Sequence, residues 1–140
     1  MKSWSYTIPI PPVATPRPQF TRTKGKTITY YPQWYTDYQN QVQAMLAEDN
    51  ALNETFFEVM ASPLGVKAEI KFFVKAPKNY KRINNIMRTT APDIDNLEKA
   101  VFDSIFKGLE IKDSRICMVA KAKFQEIENP RTEITFRGVE

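Results

Sequence analysis

The sequence predicts a mixed α/β or α+β fold, in which one mixed β-sheet packs against two main helices. Apolar and polar residues alternate at residues 4–8 and 66–74, as they do in half-buried strands. Apolar residues recur at helical spacing at residues 33–47 and 95–106. The chain has 140 residues, 42% of them hydrophobic, which suits a single domain spanning residues 1–140.

The N-terminal segment predicts a strand followed by an extended, basic stretch. The strand at residues 4–8 ends at Pro9, because proline cannot donate to a strand ladder. Prolines on both sides of Arg17 keep the next stretch extended. The residues that follow are polar and basic, with a turn expected at Gly25 and a short strand at residues 27–31.

The first predicted helix, residues 33–47, has one apolar face, made of Trp34, Tyr38, Val42 and Met45. We interpret the aromatic residues Trp34, Tyr35 and Tyr38 as core or dimer contacts rather than as platforms for base stacking. Residues 49–63 fit either a second short helix or a loop.

The second half of the chain predicts a strand, a loop, a helix and two strands. The strand at residues 66–74 leads into a basic loop at residues 76–92. The helix at residues 95–106 is expected to begin with Asp95 as its cap, to have Glu98 in a capping-box position and to end at Gly108. The closing strands, residues 116–124 and 132–136, are joined by a turn at Asn129–Pro130.

The residue types present restrict the chemistry. The chain has no histidine, which excludes Ser-His triads and His-metal sites. Its one cysteine, Cys117, forms no intrachain disulfide, and its apolar neighbours predict a buried, inert thiol. A metal would therefore be held by oxygen ligands, which favours Mg²⁺, Mn²⁺ or Ca²⁺.

No membrane span is expected, because no run of 18 apolar residues occurs. The N-terminus has no apolar signal core, so we expect an intracellular protein, in the cytoplasm of a bacterial or phage-infected cell.

Charge is unevenly distributed along the chain, with a net value of +4. Residues 1–36 and 71–92 contain cations and no acid, whereas carboxylates concentrate in residues 93–113. This pattern suits a nuclease, in which cations bind phosphates and carboxylates bind a metal, although a solvated basic surface explains the cations equally well. The candidate phosphate contacts are Arg17, Lys24, Lys26, Lys75, Lys78, Lys81, Arg82 and Arg88. Tyr80 is a candidate for stacking on an exposed base.

The acidic segment contains the candidate catalytic residues. Asp93 and Asp95 are two residues apart at a predicted helix N-terminus, where the helix dipole favours carboxylates with or without a metal. Lys99 lies one turn further on, either in a surface ion pair or facing a phosphate, and Asp103 can pair with it. A reversed strand after the helix is expected to return Asp113 to the start of the helix, so that three carboxylates converge.

Spacing over this region resembles the signature of the RusA family of Holliday junction resolvases. The matching positions are Pro92-Asp93-Ile94-Asp95-Asn96-Leu97, Lys99, Asp103, Gly108 and Asp113. The N-terminal part is similar to that family's opening strand and Arg-Pro-rich loop at Ile8-Pro9 through Arg17-Pro18, Phe20, Gly25, Tyr31-Pro32 and Tyr38. Two positions depart from the family pattern: Lys112 stands where an aspartate is frequent, and Arg115 where glutamine is frequent.

The resemblance implies a single RusA-like domain that forms a homodimer, binds branched DNA at four-way junctions and makes paired symmetric nicks with Mg²⁺, or with Mn²⁺ in its place. It assigns the metal ligands to Asp93, Asp95 and Asp113, and an essential cation to Lys99.

Two other functions are alternatives to this one. A non-catalytic or differently specific branched-DNA-binding protein of the same fold is the main alternative. A nucleotide-sugar transferase with an Asp-x-Asp motif is disfavoured, because the chain is short and has no Gly-rich nucleotide loop.

Overall fold

A computed structural model describes residues 2–77 and 87–140 and confirms a mixed α+β fold. A four-stranded sheet has the order β1-β6-β4-β5, in which only the β4–β5 pair is parallel. Strands β2 and β3 form a separate two-stranded sheet. The elements are β1 Ser3–Ile8, β2 Gln19–Thr23, β3 Lys26–Tyr30, α1 Gln33–Glu48, α2 Glu54–Met60, β4 Val66–Lys75, α3 Ile94–Phe106, β5 Ile116–Glu126 and β6 Arg131–Gly138.

The core lies between one face of the four-stranded sheet and the helices. Along β4, Ile70 and Phe72 are buried and belong to the core, whereas Glu69 and Lys71 line a shallow polar cleft on the opposite face. Helix α3 buries an apolar stripe that includes Val101. Among the described residues, no helix has the length and apolar character needed to cross a membrane.

Helix α1 has nearly the predicted bounds, but its buried face is shifted from the predicted one. The buried residues are Tyr35, Tyr38, Val42 and Leu46. The core position predicted for Tyr35 and Tyr38 is therefore confirmed. Trp34 is 51% exposed, so it is not a core residue, and its other predicted role, as a dimer contact, stays a prediction. The reason is rotational, because the core-facing stripe begins at Tyr35, one residue later than predicted.

The sequence left one element open between two alternatives and predicted another only in part. Residues 49–63 contain α2, a short helix whose N-cap Asn53 accepts a hydrogen bond from the backbone N–H of Phe56 at 3.1 Å. The basic stretch after Arg17 forms a complete hairpin, β2–β3, with its turn at Lys24 and Gly25, both at positive φ. The chain thus has three α-helices among its described residues instead of two main ones.

Strand β5 is an edge strand over its first half, because among the described residues only β4 pairs with it there, whereas near its end Phe124 also bridges to Met87. Its first half is open, with Met118 51% and Val119 40% exposed. Cys117 is exposed as well, so the prediction of a buried thiol is wrong. Apolar neighbours in the sequence predicted burial, but no helix covers this half of the strand.

Candidate active site

The candidate site lies in the crossover that joins the parallel strands β4 and β5. Helix α3 is part of this crossover, and the segment before it lies beside the carboxyl ends of both strands: the backbone N–H of Arg88 donates to the carbonyl of Lys123 at 2.8 Å. In α/β sheets, ligands bind at this edge of the strands.

Asp93 and Asp95 sit at the first turn of α3, as predicted, but their roles differ from the predicted ones. Asp93, not Asp95, is the N-cap residue, and its side chain makes no capping hydrogen bond. Its backbone carbonyl accepts from the amides of Asn96 and Leu97, both at 3.2 Å. The Asp95 side chain is 85% exposed. The carboxylates of the motif are therefore not used to cap the helix.

A lysine that the sequence analysis missed binds this first turn. Lys121 of β5 donates from Nζ to Asp95 Oδ1 at 2.6 Å and approaches Glu98 Oε2 at 3.4 Å. Glu98 thus faces Lys121, and its predicted capping-box role is wrong. Burial opposes the charge of Lys121, but the hydrogen bond to Asp95 and the nearby carboxylates outweigh it and raise its pKa.

Lys99 and Asp103 form the pair that their i, i+4 spacing allows, with Nζ and Oδ2 2.7 Å apart. The hydrogen bond to Asp103 raises the pKa of Lys99, and burial partly opposes this effect. Lys99 also lies within the electrostatic reach of Tyr31 and Tyr35. Lys99 is therefore a cation, paired with Asp103, one turn beyond Asp95.

The loop that precedes Asp93 is held by two cations of the same chain. Lys123 donates from Nζ to the carbonyls of Thr90 and Pro92, both at 2.6 Å. Arg88 donates from Nε to the carbonyl of Ala91 at 3.1 Å. These contacts hold the backbone of the residues that directly precede Asp93.

Asp113 lies at the other end of α3. It begins a short 3₁₀ turn, Asp113–Arg115, and lines a cleft of about 300 Å³ together with Phe106 and Gly108. Within the described ranges, no three Asp, Glu or Cys residues gather closely enough to hold a metal. The expected return of Asp113 to the start of α3 is therefore not met within one chain, because the chain turns back only along β5, after Asp113. Its role as a metal ligand stays a prediction.

Arg115, one of the two departures from the family pattern, has a structural role. Its guanidinium donates to the carbonyl of Met60 at 3.2 Å and also to that of Ser62. It thereby ties the end of α2 to the start of β5. Lys112 is exposed, and its closest hydrogen-bond partner is the carbonyl of Leu109 at 3.4 Å.

Only some of the predicted phosphate contacts lie among the residues that the structure describes. Arg17, Lys24, Lys26 and Lys75 are exposed, and Arg88 is half-buried in the loop described above. Lys78, Lys81 and Arg82, and the stacking candidate Tyr80, lie outside the described residues. Their DNA-binding role stays a prediction.

Comparison with known proteins agrees with this arrangement. Curated protein sequences give no significant match. The family model described as Endodeoxyribonuclease RusA matches residues 9–137, which include the whole crossover and both groups of aspartates. Since the match covers almost all of the 140 residues, the chain belongs to the RusA family of endodeoxyribonucleases.

Proposed function

We propose that this protein is a Mg²⁺-dependent endonuclease that resolves four-way DNA junctions by paired symmetric nicks, acting as a homodimer. Mn²⁺ is the alternative cation. The observation that carries the proposal is the first turn of α3, where two carboxylates without capping hydrogen bonds stand beside the fixed cations Lys99 and Lys121. A nuclease needs both kinds of group, because carboxylates bind the positive metal ion and cations bind the negative phosphate.

The carboxylate ligands at the site suit a hard cation, but one copy of the chain supplies fewer of them than the three proposed. The ligands available are carboxylate oxygens, which Mg²⁺ prefers, and Mg²⁺ keeps several of its waters. One copy offers Asp93 and Asp95 at the site, while Asp113 is at the far end of α3. A bound Mg²⁺ lowers the pKa of an attacking water and offsets charge on the scissile phosphate.

A second copy supplies the missing carboxylate if the two β5 strands pair. The open edge at Cys117–Ala120 is exposed and apolar, and an unpaired edge favours strand addition. Antiparallel pairing about a two-fold axis centred on Cys117 puts Asp113 of one copy opposite Lys121 of the other, and stops short of Lys123 and Phe124, where Arg88 and Met87 already pair. Lys121 is the residue that holds Asp95.

The chain's own cations stabilise the reaction. Lys99, held by Asp103, and Lys121 both have raised pKa values, so both remain charged at neutral pH. Either can face the charge that develops on the phosphate in the transition state. In-line attack by water leaves a 5′-phosphate and a 3′-hydroxyl.

The exposed cations Arg17, Lys24, Lys26 and Lys75 support binding of DNA, and the proposal extends this role to Lys78, Lys81, Arg82 and Arg88. As a group they predict that binding weakens steeply as salt rises.

The test is incubation of a synthetic four-way junction and a linear duplex with and without Mg²⁺. Paired symmetric nicks in the junction alone, only with the metal, are expected. Asp95→Asn should abolish cleavage and keep junction binding, whereas Asp37→Asn, which changes an exposed aspartate on α1, should cut normally. Full cleavage by Asp95→Asn removes Asp95 from the mechanism.

The alternative function is a non-catalytic branched-DNA-binding protein. It is favoured by one observation, that no three carboxylates gather within the described residues of one copy. Junction binding without cleavage at any Mg²⁺ or Mn²⁺ concentration identifies it.

A further inference from the structure

The β2–β3 hairpin is not covered along its length by the part of the chain that the structure describes. All ten of its paired residues, Gln19–Thr23 and Lys26–Tyr30, are exposed. An isolated two-stranded hairpin is at best marginally stable in water. A surface of this kind indicates a binding partner.

Each face of the hairpin combines a cation with an apolar ring or side chain. Residues opposite each other in the register share a face, so Phe20 and Arg22 lie on one side. Lys26, Ile28 and Tyr30 lie on the other side. Phe20 is 72% exposed, the highest value among the exposed large apolar residues of the described ranges.

The charge of the hairpin decides what kind of partner fits. Residues 1–36 contain Arg17, Arg22, Lys24 and Lys26 and no acid at all. The same hairpin on a second copy would be repelled, whereas a polyanion is attracted. Aromatic rings interleaved with cations are typical of surfaces that bind unpaired bases and their phosphates.

The hairpin is joined to the candidate active site at its base. The backbone N–H of Thr15 donates to the carbonyl of Asn96, in the first turn of α3, at 3.0 Å. At the same open end of the hairpin, directly after β3, Tyr31 packs edge-on against Tyr35, with ring centroids 5.1 Å apart. DNA bound at Asp93 and Asp95 therefore has the hairpin as its neighbour.

We infer that the β2–β3 hairpin is a branch-point reader, in which Phe20 stacks on an exposed base at the crossover while Arg22, on the same face, and Lys24, in the turn, contact the adjoining phosphates. This inference rests on the proposed function, since it needs branched DNA as the ligand. It assigns to the hairpin the discrimination between a junction and a linear duplex.

The experiment measures binding of the Asp95→Asn protein to a four-way junction and to a linear duplex, without Mg²⁺. Adding Phe20→Ala should weaken junction binding by about fivefold to a hundredfold and leave duplex binding unchanged. Phe57→Ala, which removes a ring 39% exposed on α2, is the matched control and should change neither affinity. Arg22→Ala should weaken both and lower the salt slope by about one.

A second measurement reports stacking directly. A 2-aminopurine at the crossover should change its fluorescence when the parent protein binds and not when Phe20→Ala binds. Equal loss of affinity for both DNAs, or no loss, overturns the inference, as does failure of the parent protein to prefer the junction. A change in dimer mass with Phe20→Ala also overturns it, because the ring would then contact a second copy.

The two proposals fail separately. If the wild-type protein binds junctions through Phe20 and never cuts them, the catalytic proposal fails alone. If it cuts junctions and Phe20→Ala binds them normally, the hairpin inference fails alone.

Discussion

Mixing two inactive variants tests whether the metal site is shared between copies. An Mg–O distance of about 2.1 Å keeps two oxygens on one ion within about 4 Å of each other. The stretch of α3 from Asp95 to Phe106 rises about 16 Å at ~1.5 Å per residue. Asp113 and Phe106 line the same cleft at the far end of α3, so we place the Asp95 and Asp113 ligands of one ion on different copies. In a shared site, each ion uses Asp95 of one copy and Asp113 of the other.

Asp95→Asn and Asp113→Asn should each be inactive alone and partly active together. In a mixed dimer, one site has both substitutions and the other has none. If equal amounts assort at random, about half of the dimers are mixed and the mixture recovers about a quarter of the wild-type sites. The assay is cleavage of a labelled four-way junction after the two proteins are unfolded together and refolded. The products should be single nicks, because each mixed dimer has one working site.

Asp93→Asn mixed with Asp95→Asn is the matched control. Both residues belong to the same half of each site, so every site keeps one substitution and no activity should return. A mixture of Asp95→Asn and Asp113→Asn that stays as inactive as its components, with mixed dimers demonstrated by mass, would refute the shared site.

Three further predictions concern individual contacts. Lys121→Met should tighten Mg²⁺ binding by about twofold to fivefold in a calorimetric titration, because a metal no longer has to displace the ion pair with Asp95; weaker binding would mean that Lys121 helps to position the ligand. Gly65→Ala should lower the free energy of unfolding in urea by about 1–3 kcal/mol, since Gly65 has φ +99° and an added Cβ would lie 2.7 Å from Cys117 Sγ. Cys117→Ala in the same chain should restore only part of the lost stability, because it removes the close contact and not the backbone strain. Full recovery would contradict the argument from backbone strain. Burial, and then the hydrogen bond to Asp49 at 2.6 Å, raises the pKa of Tyr6. The contribution of Tyr6 to folding stability is therefore complete below the ordinary pKa of 10.0 and is lost as the pH rises through the higher folded-state pKa. Tyr6→Phe should therefore destabilise the protein by about 1 kcal/mol at neutral pH, with a gap that narrows in alkaline urea titrations; a gap independent of pH would contradict this.

The elements with a strong period were predictable from the sequence, and those without one were not. Alternation in β4 and the apolar stripe of α3 depend on local spacing, which the sequence displays directly. Of the β2–β3 hairpin, the turn at Gly25 and the second strand were predicted, whereas β2 was not, because the hairpin is exposed and β2 has no buried face to detect. The exposure of Cys117 depends on strand order, and strand order is a tertiary property that one strand's composition does not encode.

The candidate site divides in the same way. Asp93, Asp95 and Lys99 are neighbours on one helix, so their spacing along the sequence already placed them together. Lys121 comes from β5, and its contact with Asp95 depends on how β5 is aligned against α3. The signal that could have found it is a lysine at a partly buried position of a strand, because a charge there needs a partner.

The distance between Asp113 and the other aspartates has the same origin as the open edge of β5. Because β5 is parallel to β4, the chain must return to the amino end of the sheet before β5 begins, and Asp113 lies at that end. The same crossover adds β5 at the outside of the sheet, where its first half lacks a second neighbour among residues 2–77 and 87–140. Antiparallel pairing of two β5 strands would satisfy both needs at once, since it covers the exposed strand and moves each Asp113 toward the other copy's Asp95. A variant with a proline in place of Val119 should therefore lose dimerisation and Mg²⁺ binding together, and retention of metal binding by the monomer would separate the two.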